Sequence, residues 1–206
     1  MKTGTSCVIA GDFQHGENFQ CGHLCIIEAD VVVGHDVKLG HNVMLKSGTR
    51  VGDRVEIADN CCTTGICLIG NDVMIRTGSC ISKSVILNDF VFVGAGVMSS
   101  HTKNVYHGRP AMEKCQLVTR VGYGAIIGSR TNLMAGVTIA PGVIIGYGSN
   151  VVGDLEPAQS LFIGNPARFV KSIAGTAWAI DVPPDYEALE FDPALLAKYL
   201  PFYRGD

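Results

Sequence analysis

The chain has no run of eighteen apolar residues, so nothing in it reads as a membrane-spanning helix. Met1-Lys2-Thr3-Gly4 leads into nothing hydrophobic, and no signal peptide is expected. Charge is also scarce. Only 17% of residues are charged and the formal net charge is −3. That balance gives no reason to expect nucleic acid or an anionic membrane surface as a partner. Eight cysteines are present, but no Cys-x-x-Cys pair is among them. Zinc-ribbon and disulfide-framework readings therefore lack their signature, and reduced thiols in a cytoplasmic protein are expected.

What the chain does have is a period of six. Val33, Leu39, Leu45, Val51, Ile57, Thr63, Ile69, Ile75, Ile81, Leu87 and Val93 recur at that spacing, and only Thr63 is not aliphatic. A second run follows: Val121, Ile127, Leu133, Ile139, Ile145, Val151, Pro157 and Ile163. Neither a helix nor an isolated strand makes this pattern. It is the hexapeptide repeat of a parallel β-helix, in which each hexapeptide is one flat face of a coil. With three faces per coil, residues eighteen apart stack. Val33, Val51, Ile69 and Leu87 then form one interior column, Leu39, Ile57, Ile75 and Val93 a second, and Ile27, Leu45, Thr63 and Ile81 a third. His35-Asp36, Asn60, Asn71-Asp72 and Asn88-Asp89 fall at the corners, where polar turn residues tolerate the backbone required. Cys25, Cys61 and Cys67 take the small inward position, and there Cys acts as a small hydrophobe.

The two runs are out of phase, so a segment must leave the wall between them. Residues 99–116 supply it: Ser99 to Lys114 is polar and lacks the repeat. Before Cys21 the repeat fades, which predicts an irregular first coil. The prism is expected over residues 1–171, with residues 172–206 as a C-terminal cap segment carrying Trp178, Tyr186, Phe191, Tyr199, Phe202 and Tyr203. Asp192-Pro193 predicts the start of a short helix over Ala194 to Leu200, ended by Pro201.

Residues 136–152 and the run Leu161-Phe-Ile-Gly-Asn-Pro-Ala-Arg-Phe-Val-Lys171 carry a resemblance. Over roughly residues 21–171 the chain resembles the hexapeptide-repeat acyltransferases, whose prisms commonly end in Gly-Asn-Pro-Ala-Arg/Lys. Leu117-Val-Thr-Arg-Val-Gly-Tyr-Gly-Ala-Ile-Ile-Gly-Ser is similar to the branch that N-acetylates nucleotide-linked amino sugars. The resemblance implies a left-handed coil, an acetyl-CoA co-substrate, a homotrimer, and sites at subunit boundaries. A flat-sided prism has no concave pocket of its own, whereas grooves arise where prisms pack.

The chemistry asks for one base near neutral pKa beside an activated thioester. His101 opens the ejected loop, where family members commonly carry a catalytic His, and is the candidate base; His107 is the alternative in the same loop. The resemblance implies cofactor contacts at Ser129, Gly146, Arg168 and Lys171. The family's Thr-Lys pair is replaced by Val152-Gly153, so Arg130 or Arg120 is expected to compensate. Metal is weighed and not expected. His23, His41 and Asp59 should stack on one surface, with His35 one hexapeptide from His41, and the His101–His107 spacing is wrong for the zinc of a γ-class carbonic anhydrase. The expected function is acetyl-CoA-dependent N-acetylation of an amino sugar, nucleotide-linked. The alternative is O-acetylation of a sugar or small metabolite. A zinc hydratase and an inert scaffold fit less well.

Overall fold

The computed structural model describes residues 1–104 and 106–203, so one residue of the expected loop and the last three of the expected cap lie outside the described residues. Each hexapeptide contributes a strand of two or three residues and then turns. Every third strand pairs in parallel, with a stride of eighteen, as in Cys21 to Leu39, Leu39 to Ile57 and Ile57 to Ile75. Three sheets of ten, eight and seven strands result, one per face. Face one begins at Lys2–Thr3, face two at Val8–Ile9 and face three at Gln14–His15.

The interior columns are as the period predicts. Ile75, Ile27, Leu45 and Leu87 are at most 1% exposed. Thr63, the one polar member, is also buried, because its hydroxyl is satisfied inside: it accepts from the Lys46 amide and bonds the Thr49 hydroxyl at 2.9 Å each. Corner backbone is left-handed at Asp36, Asn60 and Asp72, but also at Leu24, Arg54 and Phe90. Coil geometry imposes that conformation whatever residue occupies the corner.

The first coil corrects the sequence reading. It is in register from Lys2, which pairs with Gln20, as Val8 does with Ile26 and Gln14 with Val32. The repeat fades to the eye because the inward residues there are Thr3, Ile9 and His15. Phe13 and Phe19 pack edge to face there, with centroids 5.2 Å apart. At the other end the stride shortens: Ile139 bridges Leu155, sixteen residues on, and Ile144 and Ile145 pair with Leu161 and Phe162, seventeen on. Phe162 and Leu155 therefore enter the core, while Pro157 and Ile163 lie on the outside. Strand Ser160–Gly164 then turns back antiparallel onto Ala167–Ser172.

The ejected loop is where expected. Val85 pairs with Thr119 and Met98 with Asn132, so the stride jumps from eighteen to thirty-four and sixteen residues leave the wall. Its base is closed by a bridge between Thr102 and Gln116.

The C-terminal segment lies elsewhere than the end of the solenoid. From Ile180, which sits on Gly124, it runs back along the outer side of face three. Phe191 and Leu200 bury Ile66, Leu68, Ile86 and Val118. The helix spans Pro193–Tyr199, and the Asp192 carboxylate accepts from the Ala194 amide. Its far end is latched at Asp30, which bonds Arg50 at 2.7 Å, Lys198 at 2.6 Å and the Tyr199 hydroxyl at 2.5 Å. Those donors, Lys198 first, hold the Asp30 carboxyl well below the usual carboxylate range.

Asn88 anchors the middle of this strap. Its amide donates to the Val121 carbonyl at 2.9 Å, and its oxygen accepts from the Tyr186 hydroxyl at 3.0 Å and the Leu189 amide at 2.8 Å. Asn88→Ala removes the acceptor of the Tyr186 hydroxyl and the Leu189 amide, while the Val121 carbonyl keeps the Asn88 backbone amide at 3.0 Å, and is expected to lower stability by roughly 1–3 kcal/mol. Limited proteolysis should then cut the strap faster than in the wild type; an unchanged cleavage rate would count against this anchoring role.

Candidate functional site

On the first coils of face two the outward column is apolar or thiol: Ile26, Met44, Cys62, Cys80 and Met98. Past the loop it changes to Asn132 and Asn150, whose amides bond at 2.6 Å. A groove of about 360 Å³ opens there, lined by Met98, Ser99, Ser100, Asn132, Leu133, Met134, Asn150, Val151, Val152 and Asn165. One end is thus the start of the ejected loop. The other is the Asn of Gly-Asn-Pro-Ala-Arg. Sequence reasoning did not single out Asn132, Asn150 and Asn165; the change from apolar to amide in a column of stride eighteen was the signal available.

Ser100 fixes the loop's departure. Its hydroxyl accepts from the Ala135 amide at 2.9 Å and donates to the Leu133 carbonyl at 3.3 Å. His101 follows directly and is half-buried. Burial, with the positive charge of Lys83 second, pushes its pKa below the ordinary histidine value. A neutral imidazole with no hydrogen-bond partner among the described residues is the protonation state a general base needs. His107 lies exposed further out, its carbonyl accepting from Arg109 at 2.9 Å.

The predicted cofactor residues divide. Ser129 is exposed on the edge between faces one and two, where its hydroxyl accepts from the Ala95 amide at 3.2 Å. Gly146 is one coil on, where an added Cβ would meet the Ile163 side chain at 2.7 Å. Ile163 in turn pairs with Arg168 across the terminal hairpin. Ser129, Gly146 and Arg168 therefore follow one another along a single edge. Lys171 is exposed but held 4.9 Å over the Trp178 ring. Arg120 does not join them. It bonds Glu190 of the strap through two contacts of 3.1 Å, so of the two compensating arginines only the exposed Arg130 stands on the Ser129 edge.

His23 and His41 stack as expected, with centroids 5.1 Å apart. Their Nδ1 atoms accept the backbone amides of Thr5 at 2.8 Å and His23 at 3.0 Å, and Asp59 accepts from the His41 amide at 2.7 Å. These groups are rungs of a corner ladder that joins each coil to the next. The eight cysteines are free thiols. Burial raises Cys25 and Cys61 and pushes Cys21 and Cys80 up to about 12, which leaves them poor nucleophiles.

No family model matches the chain. The fold does have known counterparts. LpxA from Acinetobacter baumannii superposes with a TM-score of 0.58 at 18% identity, over 82% of this chain and 74% of that one. The UDP-N-acetylglucosamine acyltransferase from Campylobacter jejuni gives 0.56 at 15%, over 83% and 75%. The chain is a hexapeptide-repeat β-helix protein. A Staphylococcus aureus protein named "Putative acetyltransferase" is 36% identical over 75 residues, which are 36% of this chain and 37% of that protein. Serine acetyltransferase 2 from Arabidopsis thaliana is 28% identical over 87 residues, 42% of this chain and 26% of its own length. The match thus spans little more than a third of the first of these curated relatives and about a quarter of the second. No helix among the described residues is long and apolar enough to cross a membrane.

Proposed function

We propose that this protein is an acetyl-CoA-dependent acetyltransferase that N-acetylates an amino sugar, nucleotide-linked, with His101 as general base. One observation carries the reading: a single groove runs from the start of the ejected loop, just before His101, to Asn165 of the terminal signature. The names of the sequence relatives, both acetyltransferases, support the reaction class.

In this reading the thioester lies along the edge of Ser129 and Gly146, and Arg168 meets a phosphate through two donors. His101 removes the proton from the acceptor nitrogen as it attacks the thioester carbonyl; the C–N bond forms, the C–S bond breaks, and CoA leaves as the thiol. O-acetylation differs only in the acceptor atom.

The working unit is a homotrimer. Met74, Phe92, Ile126, Ile144 and Leu161 stack as an outward apolar ladder on face one, with Met74 and Ile126 each 39% exposed. Water-facing apolar columns of this kind mark a protein interface. Packing prisms together would deepen the groove into a site.

CoA at a hundred times its dissociation constant is expected to stabilise the fold by about 2.7 kcal/mol. Replacing Arg168 and Lys171 by Ala should weaken that effect. A thermal melt unmoved by millimolar CoA, or a monomeric mass in solution, would contradict the reading.

A further inference from the structure

Far from the groove, the sulfurs of Cys7, Cys21 and Cys25 lie within 4.8 Å of one another, with Cys21 and Cys25 buried and Cys7 half-buried. No other group of three metal-ligating side chains meets that condition among the described residues.

Two of the three have an ordinary reason to be there. Cys7 and Cys25 belong to the small inward column, and each thiol donates to a carbonyl fifteen residues on, Gly22 and Gly40, at 3.2 Å. Cys61 and Ser79, two and three coils after Cys25, make the same bond at 3.1 and 2.9 Å. Cys21 has no such reason. It stands in the column of Leu39, Ile57, Ile75 and Val93, where every other coil up to Ile145 places an aliphatic side chain above the first. A short polarisable side chain there gives up apolar volume and brings a third sulfur to the other two.

The place also matters. These residues join the first coil to the second, where the interior is weakest. The inward positions of the first coil are Thr3, Ile9 and His15, two of them polar where later coils are aliphatic. Cys7 is the half-buried member of the three and the one nearest to solvent.

We propose that Cys7, Cys21 and Cys25 form a three-thiolate site for a thiophilic divalent cation of the zinc type, which staples the first coil to the second. Zinc–sulfur bonds of about 2.3 Å require sulfurs about 3.8 Å apart, within the spacing the cluster already has. Uptake replaces three S–H bonds with three metal–sulfur bonds and releases three protons, with water in the fourth position. There is no change of oxidation state. The site is independent of acetyl transfer.

The test uses the full chain with the half-buried Cys62, Cys80 and Cys115 changed to Ser, titrated with Zn²⁺ and with Co²⁺ as a spectroscopic probe. One ion per chain, a cobalt–thiolate charge-transfer band, and at least tenfold slower hydrogen exchange at the first-coil amides of Gly4 and Val8 are expected. Cys21→Leu restores the column's own residue type and should weaken binding at least a hundredfold. Cys61→Val, in the same small column but outside the cluster, should bind as before. Should Cys21→Leu fail to fold, Cys7→Val serves in its place. Absence of stoichiometric binding, or binding kept in Cys21→Leu or Cys7→Val, would overturn the proposal. So would equal loss in Cys61→Val.

Discussion

His101→Ala is expected to lower turnover by about 10²- to 10⁴-fold while CoA affinity stays nearly unchanged. His101 is the half-buried imidazole that follows Ser100, and Ser100 is fixed to the prism by its bonds to Ala135 and Leu133. The wild-type rate should fall on the acid side, where the base takes up a proton. Burial and Lys83 lower the His101 pKa, so that limb should lie below the ordinary histidine value of 6.5. Lys83→Met removes one cause and should move the limb upward, towards 6.5. His101→Ala should lose the limb altogether. Near-normal turnover in that variant would mean that solvent or His107 takes the proton, and that outcome favours an amine acceptor, since a hydroxyl needs a base more than an amine does.

Ile75→Ala should cost about 2–5 kcal/mol, because it opens a cavity in a column that cannot collapse around it. Ile75 is 1% exposed, with Ile57 stacked on one side and Val93 on the other by backbone register. The adjacent Glu56 and Lys38 point outward on the same face, and Lys38→Ala should change stability by no more than about 0.5 kcal/mol. Denaturant melts of both variants check this pair. Equal effects would mean that the column does not bear the stability of the prism.

The inward side of the molecule was legible because one period governs it. Stride eighteen predicts which side chains stack, and burial of the three columns follows. The same rule fails where a residue is dropped. After Val151 the stride shortens to sixteen at Leu155 and seventeen at Phe162, and the period keeps pointing to Pro157 and Ile163 while the core takes Leu155 and Phe162. The size of the ejected loop was visible only as a phase difference, and its sixteen residues emerge from the pairing of Val85 with Thr119. The strap was harder to place. Its aromatics suggested a cover, but the surface it covers is outward Leu68 and Ile86, which a period tracking inward residues passes over. Cys67-Leu68-Ile69 and Val85-Ile86-Leu87 are all-apolar triplets, so the signal was present; which distant segment answers it is a matter of tertiary packing.

The candidate site divides in the same way. His101 could be placed from the break in the repeat at Ser99, since a phase change has to occur where the chain leaves the wall. Asn132, Asn150 and Asn165 could not be assembled from spacing alone, because Asn165 reaches the groove only through the shortened final coil. Arg120 is one of two arginines expected to compensate for the missing Thr-Lys pair, and the strap places Glu190 against it.

The measurement that tests the central claim most directly is thiol release from acetyl-CoA by the purified full chain, against a panel of nucleotide-linked amino sugars, with the product checked by mass. The account predicts that at least one amine acceptor gains one acetyl group for each thiol released, and that His101→Ala slows that reaction by the factor above. No thiol release above background with any amine or hydroxyl acceptor would contradict it.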